Sequence, residues 1–223
     1  MAMKTILLPI SLFTLILSGL ISCSSPLKEN ESETLPILGH RSVNEFEIEG
    51  KIVKDTVYHT IGNFAFVNQE GDTITNASTQ GKVYVADFFF TTCPTICPIM
   101  KTQMLRVYEK FKENPNFLIL SHSIDPTHDT QEVLKEYSQR IGVNNANTWH
   151  FLTGDQEKIF EIGQTSYMTT AMEDPKEAGG FLHSGAFVLV DQEGRIRGVY
   201  DGTKEDQVNK LMKDIPKILP KNP

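Results

Sequence analysis

The chain has 223 residues, 39% of them hydrophobic and 22% charged, with three cysteines and fifteen glycines. This apolar fraction excludes a disordered or collagen-like chain, and three cysteines cannot build a disulfide scaffold, so a packed core must hold the fold. Lys+Arg 21 against Asp+Glu 28 gives a net charge of −7 with no basic run, which argues against nucleic acid as a partner.

Lys4 precedes an uncharged run from Thr5 to Leu27, in which the apolar stretch Ile6 to Leu17 ends at the smaller Ser18-Gly19. That is the layout of a secretory signal. Leu20-Ile21-Ser22-Cys23 resembles the lipobox of bacterial lipoproteins, in which cleavage before the cysteine leaves it acylated. Residues 1–22 are therefore expected to be a signal peptide, with Cys23 the lipidation site. Two or three acyl chains would anchor the protein stably. The alternative is an uncleaved transmembrane anchor, interrupted by Pro9 and Gly19. Both readings export the rest of the chain, and the first leaves it lipid-anchored to a bacterial membrane, facing the periplasm. The polar composition of residues 23–45, including Ser24-Ser25-Pro26 and Lys28 to Glu33, predicts a flexible tether. Residues 46–223 are left as one α/β domain.

Phe64 and Phe66 lead into the turn Gln69-Glu70-Gly71-Asp72 and the return strand Thr73-Ile74-Thr75, a short hairpin that opens the domain. Lys82 to Phe90 is a near-continuous apolar run, as expected of a strand buried on both faces in a parallel sheet. From Pro94 to Lys112, apolar residues at Ile96, Ile99, Met100, Met104, Val107, Tyr108 and Phe111 have helical spacing. Phe117 to Ser121 reads as the next buried strand, and Asp129-Thr130 as the cap of a helix that ends at Gly142. A strand at Trp149 to Leu152 and a helix from Asp155 to Gly163 continue the alternation. An irregular segment containing Met168, Met172 and Gly179-Gly180 comes next. The hairpin of Ala186–Asp191 and Ile196–Tyr200 follows, and a last helix carries Val208, Leu211, Met212 and Ile215, ended by Pro216. This order predicts a thioredoxin-like fold with a central mixed sheet flanked by helices.

Cys93 and Cys97 lie in Cys93-Pro94-Thr95-Ile96-Cys97-Pro98, where a buried strand meets a helix N-terminus. A helix N-terminus lowers a thiol's pKa and favours the thiolate, the form that attacks disulfides and binds metals. Two thiolates on one helical face would form a soft chelate suited to Cu(I), with Zn(II) as a competitor. Two sulfurs leave a metal under-coordinated, so a third ligand is expected elsewhere. Of the six histidines His40, His59, His122, His128, His150 and His183, the last stands out, because Gly179 to Ser184 leads from a loop directly into a core strand. Met168 and Met172 offer thioethers to copper or simply fill gaps at the loop's edge. A disulfide between Cys93 and Cys97 is the plain structural alternative.

The cysteine motif, Ser123-Ile124-Asp125-Pro126 with Asp129-Thr130, the downstream His183, and Tyr200-Asp201-Gly202-Thr203 together resemble the Sco/SenC family of membrane-tethered copper metallochaperones. The resemblance runs from about residue 58 to 218 and is carried by all four motifs in order. It implies one copper ion, Cu(I) or Cu(II), held by Cys93, Cys97 and His183, with Asp125 and Asp201 flanking the site. It further implies a role in assembling the copper A centre of cytochrome c oxidase, with the copper A-bearing subunit and a copper donor protein as partners and the chain acting as a monomer. Thiol:disulfide exchange by Cys93 and Cys97, reducing the acceptor's cysteines, is the alternative function. Thr95 stands where many members carry an acidic residue, so no carboxylate lies between the cysteines.

Overall fold

The structure, a computed structural model, describes residues 34–220. The expected signal peptide, Cys23 and the first part of the expected tether, residues 23–33, lie outside the described residues. Strands β1 (Arg41–Ile48) and β2 (Lys51–Tyr58) form an antiparallel hairpin whose turn has Glu49 at φ 50° and Gly50 at φ 73°. Two consecutive positive φ values make the turn twist that suits a tight hairpin, and the second position takes the glycine. The short hairpin of β3 (Ala65–Val67) and β4 (Thr73–Thr75) follows, then the one-turn helix α1 (Asn76–Thr79), capped by Thr75.

The next elements build the core. They are β5 (Val83–Phe89), α2 (Cys97–Phe111), β6 (Phe117–Ser123), α3 (Gln131–Arg140), β7 (Trp149–Leu152) and α4 (Gln156–Glu161), which runs into a π-helical turn at Ile162–Ser166. A hairpin of β8 (Ala171–Glu173) and β9 (Phe181–His183) precedes β10 (Ala186–Val190), β11 (Ile196–Asp201) and α5 (Glu205–Ile218). The central sheet has the order β11-β10-β5-β6-β7, parallel across β5, β6 and β7 and antiparallel at β10 and β11. This is the mixed sheet of a thioredoxin-like fold, with helices flanking it. Every residue of β5 and β6 is buried, which explains their unbroken apolar runs. The α2 stripe of Met100, Met104, Val107 and Phe111 is buried with Trp149 and Phe151 in one core cluster.

Several details differ from the sequence expectation. Arg41 to Glu45, expected in the tether, belong to β1. Just before them, the Leu38 amide bonds the Ile196 carbonyl at 2.8 Å, and the Arg197 guanidinium reaches the carbonyls of Leu35 and Pro36. The domain edge therefore lies upstream of residue 45. The irregular segment around Met172 and Gly179 contains the β8–β9 hairpin, with Gly179 and Gly180 at positive φ. Pro216 does not end α5, which continues to Ile218. Proline at 216 leaves the Met212 carbonyl without its helical partner, and the Lys110 ammonium donates to that carbonyl at 3.1 Å. His122 is fully buried in an aromatic box of Phe64, Phe66, Phe88 and Tyr167. Neither ring nitrogen finds a partner, and burial lowers its pKa to about 4.

Candidate metal centre

Strand β5 delivers the chain to Phe90, and the Cys93 amide turns back onto the Phe90 carbonyl at 3.2 Å. Cys93 thus sits in the turn ahead of α2, and Cys97 is the first residue of that helix, followed by Pro98. The two thiols do not share a helical face, as the spacing had suggested; the turn folds one over the helix start. Asp129, fully buried, holds this turn in place. Its carboxylate accepts from the Thr91 amide at 3.0 Å, from the Thr91 hydroxyl and from the Ser123 hydroxyl at 2.6 Å.

His183 arrives at the end of β9. Its Nε2 lies 3.3 Å from Cys97 Sγ and 3.9 Å from Cys93 Sγ, and the three candidate ligand atoms all lie within 4.8 Å of one another. Nδ1 faces the Ser184 carbonyl at 3.2 Å, and a carbonyl only accepts, so Nδ1 carries the proton and Nε2 presents its lone pair to the sulfurs. The Phe90 ring meets the imidazole edge-on at 5.8 Å and contacts Phe181 at 5.3 Å. At Gly179, φ +92°, a Cβ would come within 2.8 Å of the Phe90 ring, so glycine lets the loop close over it. All three ligand residues are buried, and both cysteines are free thiols.

The two sulfurs differ electrostatically. A hydrogen bond from the Cys97 thiol, opposed by burial and helped by His183 and the Thr95 and Cys97 backbone, lowers the Cys93 pKa to about 3. The same bond raises Cys97, and burial raises it further. The reduced pair therefore keeps one proton, on Cys97, and one thiolate, on Cys93. Behind Cys97, Asp87 shares a small cavity with Met100, Met104 and Trp149. Burial raises its carboxyl to about 7, offset in part by the Ser121 hydroxyl at 2.5 Å, which accepts in turn from Trp149 Nε1.

The structure brings together Cys93, Cys97 and His183; the other predicted residues stand apart from the cluster. Asp125 shapes the turn before α3, its carbonyl accepting from the His128 and Asp129 amides at 3.1 and 2.8 Å. Asp201 accepts from the Thr203 amide and hydroxyl and pairs with Lys204, contacts that hold its pKa down. It borders an open groove with Ile96, Ala186 and Val199 beside the cysteine loop. Met172 faces Leu182 across the β8–β9 hairpin, the position next to the Ala171–His183 pair, so it sits on the opposite face from the imidazole. His150 accepts from the Asn68 amide group at 3.2 Å, and His128 lies exposed in its turn. Sequence reasoning missed Asp129 as the anchor of the cysteine turn and Asp87 behind it. Asp129 read as a helix cap, and Asp87 looked like one polar residue inside an apolar strand.

Comparisons with known proteins agree with this geometry. The SCO1/SenC family model matches residues 54–219. The SCO1 protein homolog of Bacillus subtilis is 32% identical over 168 residues, covering 74% of this chain and 86% of the relative. Among solved structures, a SCO1/SenC family lipoprotein from Bacillus anthracis superposes with a TM-score of 0.66 at 29% identity, covering 73% of this chain and 96% of the other. BsSco, described as a member of the Sco family of cytochrome c oxidase assembly proteins with a disulfide switch, gives 0.65 at 30% identity, covering 74% and 95%. Arabidopsis thaliana ScoI, solved with copper bound, gives 0.57 at 25% identity, covering 70% and 98%. With the match spanning the domain from β2 through α5 and including both cysteines and His183, the chain belongs to the SCO1/SenC family.

Proposed function

We propose that this protein is an exported, lipid-tethered copper chaperone that binds one copper ion, as Cu(I) or Cu(II), through Cys93, Cys97 and His183. In this role it takes copper from a donor protein and assists assembly of the copper A centre in the copper A-bearing subunit of cytochrome c oxidase. The observation that carries the reading is the convergence of two sulfurs and one imidazole nitrogen within 4.8 Å, with the imidazole tautomer already set for coordination. The donor set fits the ion. Soft thiolates favour Cu(I), and a neutral imidazole suits both copper oxidation states. The lipoprotein relative and the copper-bound relative support the tether and the cargo. The groove of Ile96, Ala186 and Val199 offers an apolar surface beside the site for an acceptor protein.

Titration of the reduced protein with copper tests this. We expect one tightly held copper per chain at this three-ligand centre, strong thiolate-to-copper charge-transfer bands in the Cu(II) form, and at least about a hundredfold weaker binding there in His183→Ala, which removes one of three ligands. Stoichiometric, tight binding that survives the Cys93→Ser, His183→Ala double substitution would sink the proposal.

The asymmetry of the thiols favours a second reading, thiol:disulfide exchange. Cys93 as thiolate attacks a partner disulfide, forming a mixed disulfide and releasing one partner thiolate, which takes up a proton. Cys97 then loses its proton and displaces the second partner thiolate, leaving Cys93–Cys97 oxidised and the partner reduced. That chemistry needs both cysteines but not His183 as a ligand. A His183→Ala protein that still reduces an acceptor but no longer supports oxidase assembly would assign the essential role to copper.

A further inference from the structure

Outside the three-ligand centre, two histidines at the base of the β1–β2 hairpin lie beside a methionine from a distant part of the chain. His40 and His59 are tied through the backbone, the His59 amide donating to the His40 carbonyl at 2.8 Å. Their rings lie 6.5 Å apart, nearly perpendicular at 79°. Two imidazoles bound to one ion have centres roughly 6 Å apart, two metal–nitrogen bonds of about 2.0 Å plus the ring dimensions. His59 Nε2 donates to the Ser166 carbonyl at 2.7 Å, which leaves Nδ1 as the lone-pair nitrogen. A second ring nitrogen bonded to a carbonyl is the arrangement by which proteins fix histidines for metal ligation.

Met168 completes the group. A Cβ built on Gly39 would lie 3.0 Å from the Met168 methyl and 2.9 Å from His59 Cβ, so the thioether end and His59 crowd the same side of Gly39, next to His40. Met168 and His59 can both approach this point because residue 39 has no side chain and takes φ +104°. Met168 itself has φ 52°, a left-handed backbone that non-glycine residues avoid, and it is 43% exposed. Strained backbone clusters at ligand-binding positions, and an exposed thioether is free to reach an ion. The π-helical turn that supplies the Ser166 carbonyl is of a kind often found at functional sites.

We infer that His40, His59 and Met168 form a second soft-metal site, selective for Cu(I) and weaker than the thiolate centre. Two neutral nitrogens and a thioether hold a monovalent soft ion without charge neutralisation, so the ion exchanges readily. The site is linked to the main centre through a short segment. Thr169, next to Met168, bonds the Ser184 hydroxyl, the Ser184 amide bonds the Thr170 carbonyl at 3.0 Å, and Ser184 follows His183. Its role as a receiving point for copper on the way to Cys93, Cys97 and His183 rests on the proposed copper function; the existence of the site does not.

Anaerobic titration with Cu(I), and with Ag(I) as a redox-inert stand-in, separates the two. A Cys93→Ser, Cys97→Ser protein is expected to bind one equivalent, shifting the ring resonances of His40 and His59. Met168→Leu in that background should weaken binding at least about tenfold, and His59→Ala should abolish it. In the unmodified thiol background, His59→Ala should reduce uptake from two equivalents to one, a readout that does not depend on the double-serine protein folding. Absence of a second equivalent in the parent protein, or a second equivalent that leaves the His40 and His59 resonances unmoved, overturns the inference. Loss of the first equivalent alone would count against the copper reading and leave this site standing.

Discussion

At the scale of single residues, the chemistry of the centre turns on one proton shared by two thiols. Cys93 loses its proton far below the ordinary thiol range because the Cys97 thiol donates to it, while Cys97 is pushed up by the same bond and by burial. Cys93 is then a thiolate throughout the range in which an ordinary thiol titrates. Alkylation by iodoacetamide should modify Cys93 first, at a rate nearly constant from about pH 8 to pH 5 and falling only toward about pH 3. In Cys97→Ala, which removes the donor, the acid limb should move toward neutrality by more than about one pH unit. Rates that climb about tenfold per pH unit between pH 5 and 8 in the parent protein would show an ordinary thiol and overturn the assignment. The pairing of Cys93 with Cys97 was legible in the sequence; which of them ionises was not. That depends on the turn at Phe90–Cys93, which folds the first sulfur over the start of α2.

At the scale of elements, the buried strands and the α2 stripe were readable because their burial is set by local pattern. Seven successive buried positions in β5 and in β6 leave no alternation to misread. The failures occur where a distant partner overrides a local signal. Pro216 reads as a helix stop, yet α5 continues because Lys110 of α2 occupies the carbonyl that the proline leaves open. Of the pair Asp129-Thr130 that reads as a cap, Thr130 does cap α3, but the Asp129 carboxylate reaches across to Thr91 and Ser123 instead. Asp129→Ala would leave the part-buried Thr91 amide and the fully buried Ser123 hydroxyl without their acceptor, at a cost of about 3 kcal/mol. Because those groups set the approach to Cys93, copper affinity should fall as well, by about tenfold or more, although residue 129 touches none of the three ligand residues. Asp129→Asn, which keeps an acceptor oxygen, should recover part of both losses. Unchanged affinity in a destabilised Asp129→Ala protein would limit that residue to folding.

At the scale of the whole molecule, the β1–β2 hairpin stands apart from everything that builds the site. All residues of β1 are exposed, and in β2 only Thr56 is partly covered. Phe46, Ile48, Val53 and Val57 share one face of the hairpin by register, and each is more than a third exposed. The family match begins at residue 54, within β2, so most of the hairpin lies outside the part that resembles the relatives. The sequence did not reveal it, because charged residues interrupt its apolar positions and the segment runs on from polar tether composition. A two-stranded hairpin that buries nothing adds little to stability. Its base is closed independently by the bond from the His59 amide to the His40 carbonyl and by the Leu38 amide on Ile196. Replacing Ser42–Val57 with a short Gly/Ser linker should therefore leave the thermal midpoint within about 3 °C of the parent, the shift expected for roughly 1 kcal/mol in a domain of this size. Copper stoichiometry at Cys93, Cys97 and His183 should stay at one. A fall of more than about 6 °C would mean that the hairpin is integral to the domain core. An unchanged midpoint together with lost oxidase assembly in cells would place its contribution in contacts with another molecule, through the apolar face that the fold itself leaves uncovered.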